Sequence, residues 1–345
     1  MSIGLRAIGS TAVQHDRNYA IDHPSLTGLM GGNFVVAYNT FEKILGDRSG
    51  IFGNVFNSEG ELVTEFKANT FSFDEQIDPE IAGLENGKFV VVWTSESQDG
   101  DSGGIYGQVF SAEGVAEGVE FRVNTTTDGN QSGPVIASLA DGGFFVSWFS
   151  ASQNGYFGQK FDGSGTSVGS EIALEIGSSR TISVSVADSQ DATFLVTWAT
   201  KDTRGPDSDI YGRIYNDNGT ASGDEFRINL TEPGGQFNPS TASLADGSYI
   251  VSWVGSVKHK PNVFARLFSK SGVALSEEIH IGFGSDSEVI LCPTVGSQYP
   301  GLLAEPVPLG DCNFSIKTVR HLATLWSNLG TFFRHQSCRM AILRY

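Results

Sequence analysis

Carboxylates are the side chains in this sequence whose type and spacing best suit chemistry. Asp99 and Asp101 flank a glycine in Gln98-Asp99-Gly100-Asp101, and Asp202, Asp207 and Asp209 fall within Lys201 to Ile210. Carboxylates two residues apart around a glycine can converge on a hard cation that takes about six to eight oxygens, so calcium is the candidate cofactor and these five residues are its candidate metal ligands. The competing explanation is that Asp and Gly simply make turns, and neither set is completed by a long loop ending in Glu. Paired carboxylates flanking a sugar would support glycoside hydrolysis. However, no central catalytic constellation is visible: the Ser-x-Asp-x-Gly-x-Thr-Trp box is absent, and the six histidines show no metal spacing. No catalytic residue is therefore assigned from sequence.

The elements that must position these loops repeat. Phe34-Val35-Val36-Ala37-Tyr38 returns as Phe89-Val90-Val91-Val92-Trp93, Phe144-Phe145-Val146-Ser147-Trp148, Phe194-Leu195-Val196-Thr197-Trp198 and Tyr249-Ile250-Val251-Ser252-Trp253. The closing aromatics at 38, 93, 148, 198 and 253 give steps of 55, 55, 50 and 55 residues, a period typical of blades, solenoid turns or tandem modules. Within a repeat, a strand entered at Pro24, Pro79, Pro134 or Pro239 leads through Asn86-Gly87, Asp141-Gly142 or Asp246-Gly247 into the apolar strand. Those dipeptides predict two-residue hairpin turns. A long variable loop follows, then a third strand with a central small residue (Gly53, Gly107, Gly158, Gly212, Ala265), which predicts close backbone approach between sheets. A fourth strand, such as Glu225-Phe226-Arg227-Ile228-Asn229, closes the unit.

Four antiparallel strands in about 50 residues with an apolar strand covered on both faces predict a β-propeller over residues 5–286. Five blades are clear, and length suggests six positions in the ring. Tandem immunoglobulin-like sandwiches are the second architecture, disfavoured because each needs about 100 residues. Gln76, Gln131 and Gln236 before the prolines, and Asn69, Asn124 and Asn229 at the ends of the fourth strands, predict structural hydrogen bonds between blades, with one sugar pocket per blade as the alternative. The repeated Trp is expected in the core first and as a sugar platform second.

Residues 287–345 differ. They carry five Lys or Arg and three Asp or Glu, against 17 and 36 before them, so the charge changes from −19 to +2. Phe314 to Arg334 has helical spacing of apolar residues; the alternative is aberrantly translated sequence. The missing part of a sixth blade would fall at about 290–335, opposite a lone strand at Ser10 to His15.

Composition bounds the partners. A net charge of −17 over 345 residues disfavours nucleic acid and anionic membranes. No apolar run is long enough to insert in a membrane, and no signal peptide is visible at the start. The three cysteines, Cys292, Cys312 and Cys338, lie outside the repeats.

At Asp141-Gly142-Gly143-Phe144-Phe145-Val146-Ser147-Trp148, Ser97-Gln98-Asp99-Gly100-Asp101, Gly104 to Phe110 and Glu120-Phe121-Arg122-Val123-Asn124-Thr125, the chain resembles the repeat arrays of large secreted bacterial proteins of the RTX and adhesin type. The resemblance covers about residues 10 to 285. It implies an extracellular or cell-surface setting, a place in a larger chain and non-enzymatic adhesion. The tandem Gly-Gly-x-Gly-x-Asp run of the calcium roll is absent. The expected function is thus a non-catalytic extracellular binding or adhesion module, possessing a glycan or protein ligand on the face of the variable loops, with a propeller glycoside hydrolase or lyase as the alternative.

Overall fold

A computed structural model of the protein describes residues 6–9, 19–42, 49–84, 87–174, 176, 181–188, 193–201, 208–216, 218–230, 234–244, 246–257, 260–281 and 342–344. After β1 (Arg6–Gly9), each repeat folds into one antiparallel sheet whose strands pair in chain order. Blade 1 is β2 (Tyr19–Gly28), β3 (Phe34–Glu42), β4 (Ser49–Phe56) and β5 (Leu62–Lys67). Blade 2 is β6 (Gln76–Gly83), β7 (Phe89–Glu96), β8 (Gly103–Phe110) and β9 (Ala116–Arg122). Blade 3 is β10 (Gln131–Ser138), β11 (Phe144–Ser150), β12 (Gly155–Phe161) and β13 (Ser167–Leu174). Blade 4 is β14 (Thr181–Asp188), β15 (Thr193–Lys201), β16 (Ser208–Asn216) and β17 (Phe226–Arg227). Blade 5 is β18 (Gln236–Ser243), β19 (Tyr249–Val257), β20 (Lys260–Phe268) and β21 (Ile279–Ile281), followed by β22 (Ile342–Arg344).

The first strands pack side by side, β2 on β6, β6 on β10, β10 on β14 and β14 on β18, so they form the inner wall of a five-bladed β-propeller. Among the described residues, β18 and β2 are not packed in this way. Instead β1 pairs antiparallel with β22, Ala7 opposite Leu343, which joins the two ends of the chain. The lone strand expected at Ser10 to His15, the sixth-blade segment at 290–335 and the helix expected at Phe314 to Arg334 lie outside the described residues.

The hydrophobic core sits between blades rather than within them. Leu29, Val35 and Phe66 of blade 1 bury against Phe89, Trp93 and Phe110 of blade 2, and comparable clusters join blades 2 to 3, 3 to 4 and 4 to 5. Three of the four clusters are organised by one ring from the last strand; between blades 3 and 4 that strand supplies Ile172, and Phe145 of β11 meets Phe194 at 4.4 Å. Phe66, from the last strand of blade 1, lies 5.4 Å from Phe89 and 4.6 Å from Phe110, which are themselves stacked at 5.2 Å. Phe121 inserts likewise against Phe144 and Phe161, and Phe226 against Phe268. Burying one such ring is worth about 1.5–3 kcal/mol, so each insertion is a substantial tie between blades.

This packing corrects the expected role of the third-strand glycines. A Cβ on Gly107 would stand 2.8 Å from Cζ of Phe121, and one on Gly53 would strike the ring of Phe66, both from the adjacent strand of the same blade. The glycine makes room for the inserted aromatic ring, not for another sheet's backbone. The hairpin turns also differ from expectation. Leu139 N–H donates to Gly143 O and Gly142 N–H to Leu139 O, with Gly142 at φ +84°, so three residues rather than two connect the strands. The left-handed glycine after a tight turn is what closes this longer loop.

The recurring amides are structural, but mostly within a blade. Trp93 Nε1 donates to Gln76 Oε1 at 3.1 Å and Trp253 Nε1 to Gln236 Oε1 at 2.9 Å. Ile51, Ile105 and Ile210 N–H groups donate to Oδ1 of Asn69, Asn124 and Asn229. The Asn124 to Gln131 bond at 3.1 Å does cross between blades. The four Trp rings are at most 1% exposed, which excludes them as sugar platforms.

Candidate active site in the central channel

Each inner strand begins on the face that carries the long loops, and there all five shift register, β14 between Thr181 and Ser183 and the other four around the recurring proline. The residue before the recurring proline is left-handed in each: His23 at φ +45°, Asp78 at +53°, Gly133 at +62° and Asn238 at +53°. The strand register shifts at the same place, between Asp22 and Ser25, Ile77 and Glu80, Ser132 and Val135, and Phe237 and Ser240. A bulge re-aims the side chains around it, and proline has no N–H to leave unpaired there.

In blades 1 and 2 the re-aimed side chains are ionisable and meet across the blade boundary. His23 Nε2 lies 3.4 Å from Asp78 Oδ1, and its Nδ1 lies 3.6 Å from Asp22 Oδ2. The buried Ser25 hydroxyl donates to Glu80 Oε2 at 2.9 Å and accepts from Ile81 N–H at 3.3 Å. One turn of strand further on, Thr27 Oγ1 accepts from Gly83 N–H at 3.0 Å, which fixes the register of the two inner strands. At the same positions blade 3 offers Ser132, Gly133 and Val135, and blade 5 offers Phe237, Asn238 and Ser240.

Crowding sets the protonation of this cluster. Burial among the inner strands pushes the Glu80 carboxyl up to about 7, with Asp78 adding to the rise and the Ser25 hydroxyl opposing it. Asp78 is also raised, by burial first and by Asp22 as well, against the pull of His23. Its side chain and that of Asp22 remain 36% and 44% exposed, so solvent and a ligand reach both. A carboxyl that keeps its proton near neutral pH beside solvent-accessible carboxylates can donate that proton to a leaving group while a neighbour bears negative charge.

The metal ligands expected from sequence are not gathered in this site. Asp99 Oδ1 accepts from Asp101 N–H at 3.3 Å, and Asp101 Oδ2 accepts from Gly129 N–H at 2.9 Å, so both organise loops on the outer part of the same face. Asp209 Oδ1 is occupied by Arg227 at 2.7 Å and Asn229 at 2.9 Å. Asp202 and Asp207 lie outside the described residues. Among the described residues, no three His, Cys, Asp or Glu side chains are grouped to hold a metal ion. No helix among them is long and apolar enough to cross a membrane.

No protein-family model matches this chain, and no curated protein matches it. Solved structures do. An α-L-arabinanase from Penicillium chrysogenum aligns over 82% of this chain and 86% of its own at TM-score 0.52 and 11% identity. An α-L-arabinofuranosidase from Fusarium graminearum aligns over 73% and 78% at TM-score 0.48 and 11% identity. The sialidase NanB of Streptococcus pneumoniae aligns over 81% of this chain but 64% of its own, at TM-score 0.49 and 12% identity. At such identities the likeness shows the fold, a β-propeller.

The non-catalytic adhesion module expected from sequence is corrected on these findings. It stood on the variable loops and on the absence of a central constellation, and the channel holds one, in Asp22, His23, Asp78 and Glu80. The likeness to the arabinanase shows the propeller fold alone. It is the channel cluster that favours the hydrolase alternative.

Proposed function

We propose that the protein is a glycoside hydrolase whose reaction takes place at the mouth of the central channel. Glu80 is the proton donor to the glycosidic oxygen. Asp22, the more exposed carboxylate, faces the positive charge that develops on the sugar ring. His23 bridges Asp22 and Asp78 and holds the two acids in register across the blade boundary. The observation that carries this assignment is the Glu80 carboxyl raised to about 7 within a cluster that a ligand can reach. The names of the structural neighbours agree with a carbohydrate substrate but do not identify it. An extracellular setting suits such a reaction, because polysaccharides are met outside the cell.

The test is a panel of aryl glycosides and soluble polysaccharides assayed for released phenol or reducing ends. Turnover by the wild type that falls by at least about 100-fold in both Glu80→Gln and Asp22→Asn is expected, since one acid–base residue supplies roughly 10²–10⁴ in rate. Turnover left intact in both variants would place the chemistry elsewhere.

A further inference from the structure

The repeats provide internal controls, and one connection departs from them. Between blades 1 and 2 the chain runs Asn69-Thr70-Phe71-Ser72-Phe73-Asp74-Glu75-Gln76, with aromatic residues two and four positions after the Asn. The equivalent positions between blades 2 and 3 are Thr126 and Asp128, and between blades 4 and 5 Thr231 and Pro233. This connection leads directly into β6, the strand that carries Asp78 and Glu80.

It is also held firmly while its rings stay outside the core. Glu120 Oε2 accepts from Thr70 N–H at 2.6 Å and from Thr70 Oγ1 at 2.7 Å. Asn69 Nδ2 donates to Phe71 O at 2.6 Å, and Gln76 Nε2 to Phe73 O at 3.4 Å. Phe71 is half-buried. Phe73 is 69% exposed, its ring meeting that of Phe71 edge to face at 6.5 Å. Phe73 stands five positions before Asp78, so their Cα atoms are at most about 18 Å apart. That is within the span of a short oligosaccharide. A fixed, water-exposed aromatic pair beside a cluster of ionisable groups suits stacking on the apolar face of a sugar ring.

Charge selects among sugar chains. The five inner strands contain no Lys or Arg, and the cluster presents Asp22, Asp78 and Glu80 against His23 as the lone basic side chain. A uronate or sialate would meet repulsion there, with no Lys or Arg on those strands to pair with, and beside the rings Lys67, whose Nζ donates to Ser72 Oγ at 2.9 Å, is outnumbered by Asp74, Glu75 and Glu120.

We infer that Phe71 and Phe73 form a platform that binds a neutral polysaccharide chain outside the reacting sugar. The substrate class is accordingly a neutral polymer rather than an acidic glycan or an isolated monosaccharide. This inference rests on the hydrolase assignment for its orientation, but its binding test is independent of turnover.

The experiment is affinity gel electrophoresis in linear arabinan, barley β-glucan and polygalacturonate, with wild type, E80Q, F73S and F73Y. At least one neutral polymer should retard wild type and E80Q alike. F73S should weaken retention at least tenfold and F73Y should restore it, a rescue that a folding defect would not give. Polygalacturonate should not retard any of them. Equal retention of F73S and wild type would overturn the platform, as would retardation by polygalacturonate alone or by no polymer. Phe73-dependent retention in a protein that hydrolyses nothing would uphold the platform and defeat the hydrolase assignment. Hydrolysis of aryl glycosides without polymer retention would do the reverse.

Discussion

Replacing Glu80 by Gln should make the protein more stable in neutral solution while abolishing its turnover. The carboxyl rises from 4.5 to about 7 on folding. Below pH 4.5 it is protonated in both folded and unfolded chains, so it contributes no pH dependence. Between 4.5 and about 7 the folded protein keeps a proton that the unfolded chain has released, and stability therefore falls as pH rises. Above about 7 the folded carboxyl ionises and the whole loss is in place. At about 1.4 kcal/mol per pH unit this comes to roughly 3 kcal/mol as an upper figure, and solvent contact in the channel reduces it to about 1–3 kcal/mol. The amide introduced by Glu80→Gln carries no proton to lose and can still accept from Ser25. The difference in unfolding free energy, variant minus wild type, should thus be near zero at pH 4.5 and climb to about 1–3 kcal/mol by pH 8. Urea unfolding at matched pH values measures it. Asp78 is raised as well but is present in both proteins, so it largely cancels in the difference. A difference flat across this range would mean that Glu80 is not desolvated, and the proton-donor role would fall with it.

Three further outcomes test the scaffold. Gln76→Leu leaves Trp93 Nε1 buried without its acceptor and should cost about 1–3 kcal/mol in urea unfolding; a loss below about 0.5 kcal/mol would refute the bond's importance. Gly107→Ala sets a Cβ at 2.8 Å from Phe121 Cζ and should cost about 1–3 kcal/mol by displacing the ring from its seat against Phe144 and Phe161; an unchanged Tm would show that the ring moves freely. Glu120→Ala frees Thr70, and hydrogen exchange at residues 70–76 should quicken at least about tenfold while β7 is unaffected; uniform exchange in both proteins would mean the clamp does not hold the connection.

The fold was legible because every repeat states it. The apolar stretch at Phe89 to Trp93 has no polar alternation, and a strand covered on both faces has few architectures open to it. What the glycines do was less legible. Gly107 lies opposite Phe121 only once the strands are in register, so its small size reads equally as room for a backbone or for a ring. Trp198 illustrates how far repetition can be trusted. Its counterparts Trp93 and Trp253 donate to a Gln 17 residues earlier, but position 181 is Thr, and Trp198 Nε1 has no partner among the described residues. The sequence difference is visible, whereas its energetic consequence requires knowing that the indole is fully buried.

The channel cluster was missed for a related reason. Asp22-His23-Pro24-Ser25 and Ile77-Asp78-Pro79-Glu80 stand in plain view as strand entries, 55 residues apart. Distance along the chain hides that the ring brings His23 to Asp78 and Ser25 to Glu80. The usable signal is divergence. Positions that build the blade repeat, as the proline does, whereas Ser-Gly-Pro-Val at 132–135 and Phe-Asn-Pro-Ser at 237–240 carry no charge where blades 1 and 2 carry three carboxyls and an imidazole. Ionisable groups concentrated in two of five equivalent blades gain nothing for the shared fold, and burial exacts a desolvation penalty for each. The penalty is compensated if the cluster acts on something, and the Phe71 and Phe73 pair departs from the repeat at the same blade boundary. Two independent departures at one boundary are the ground on which the proposed site between blades 1 and 2 rests.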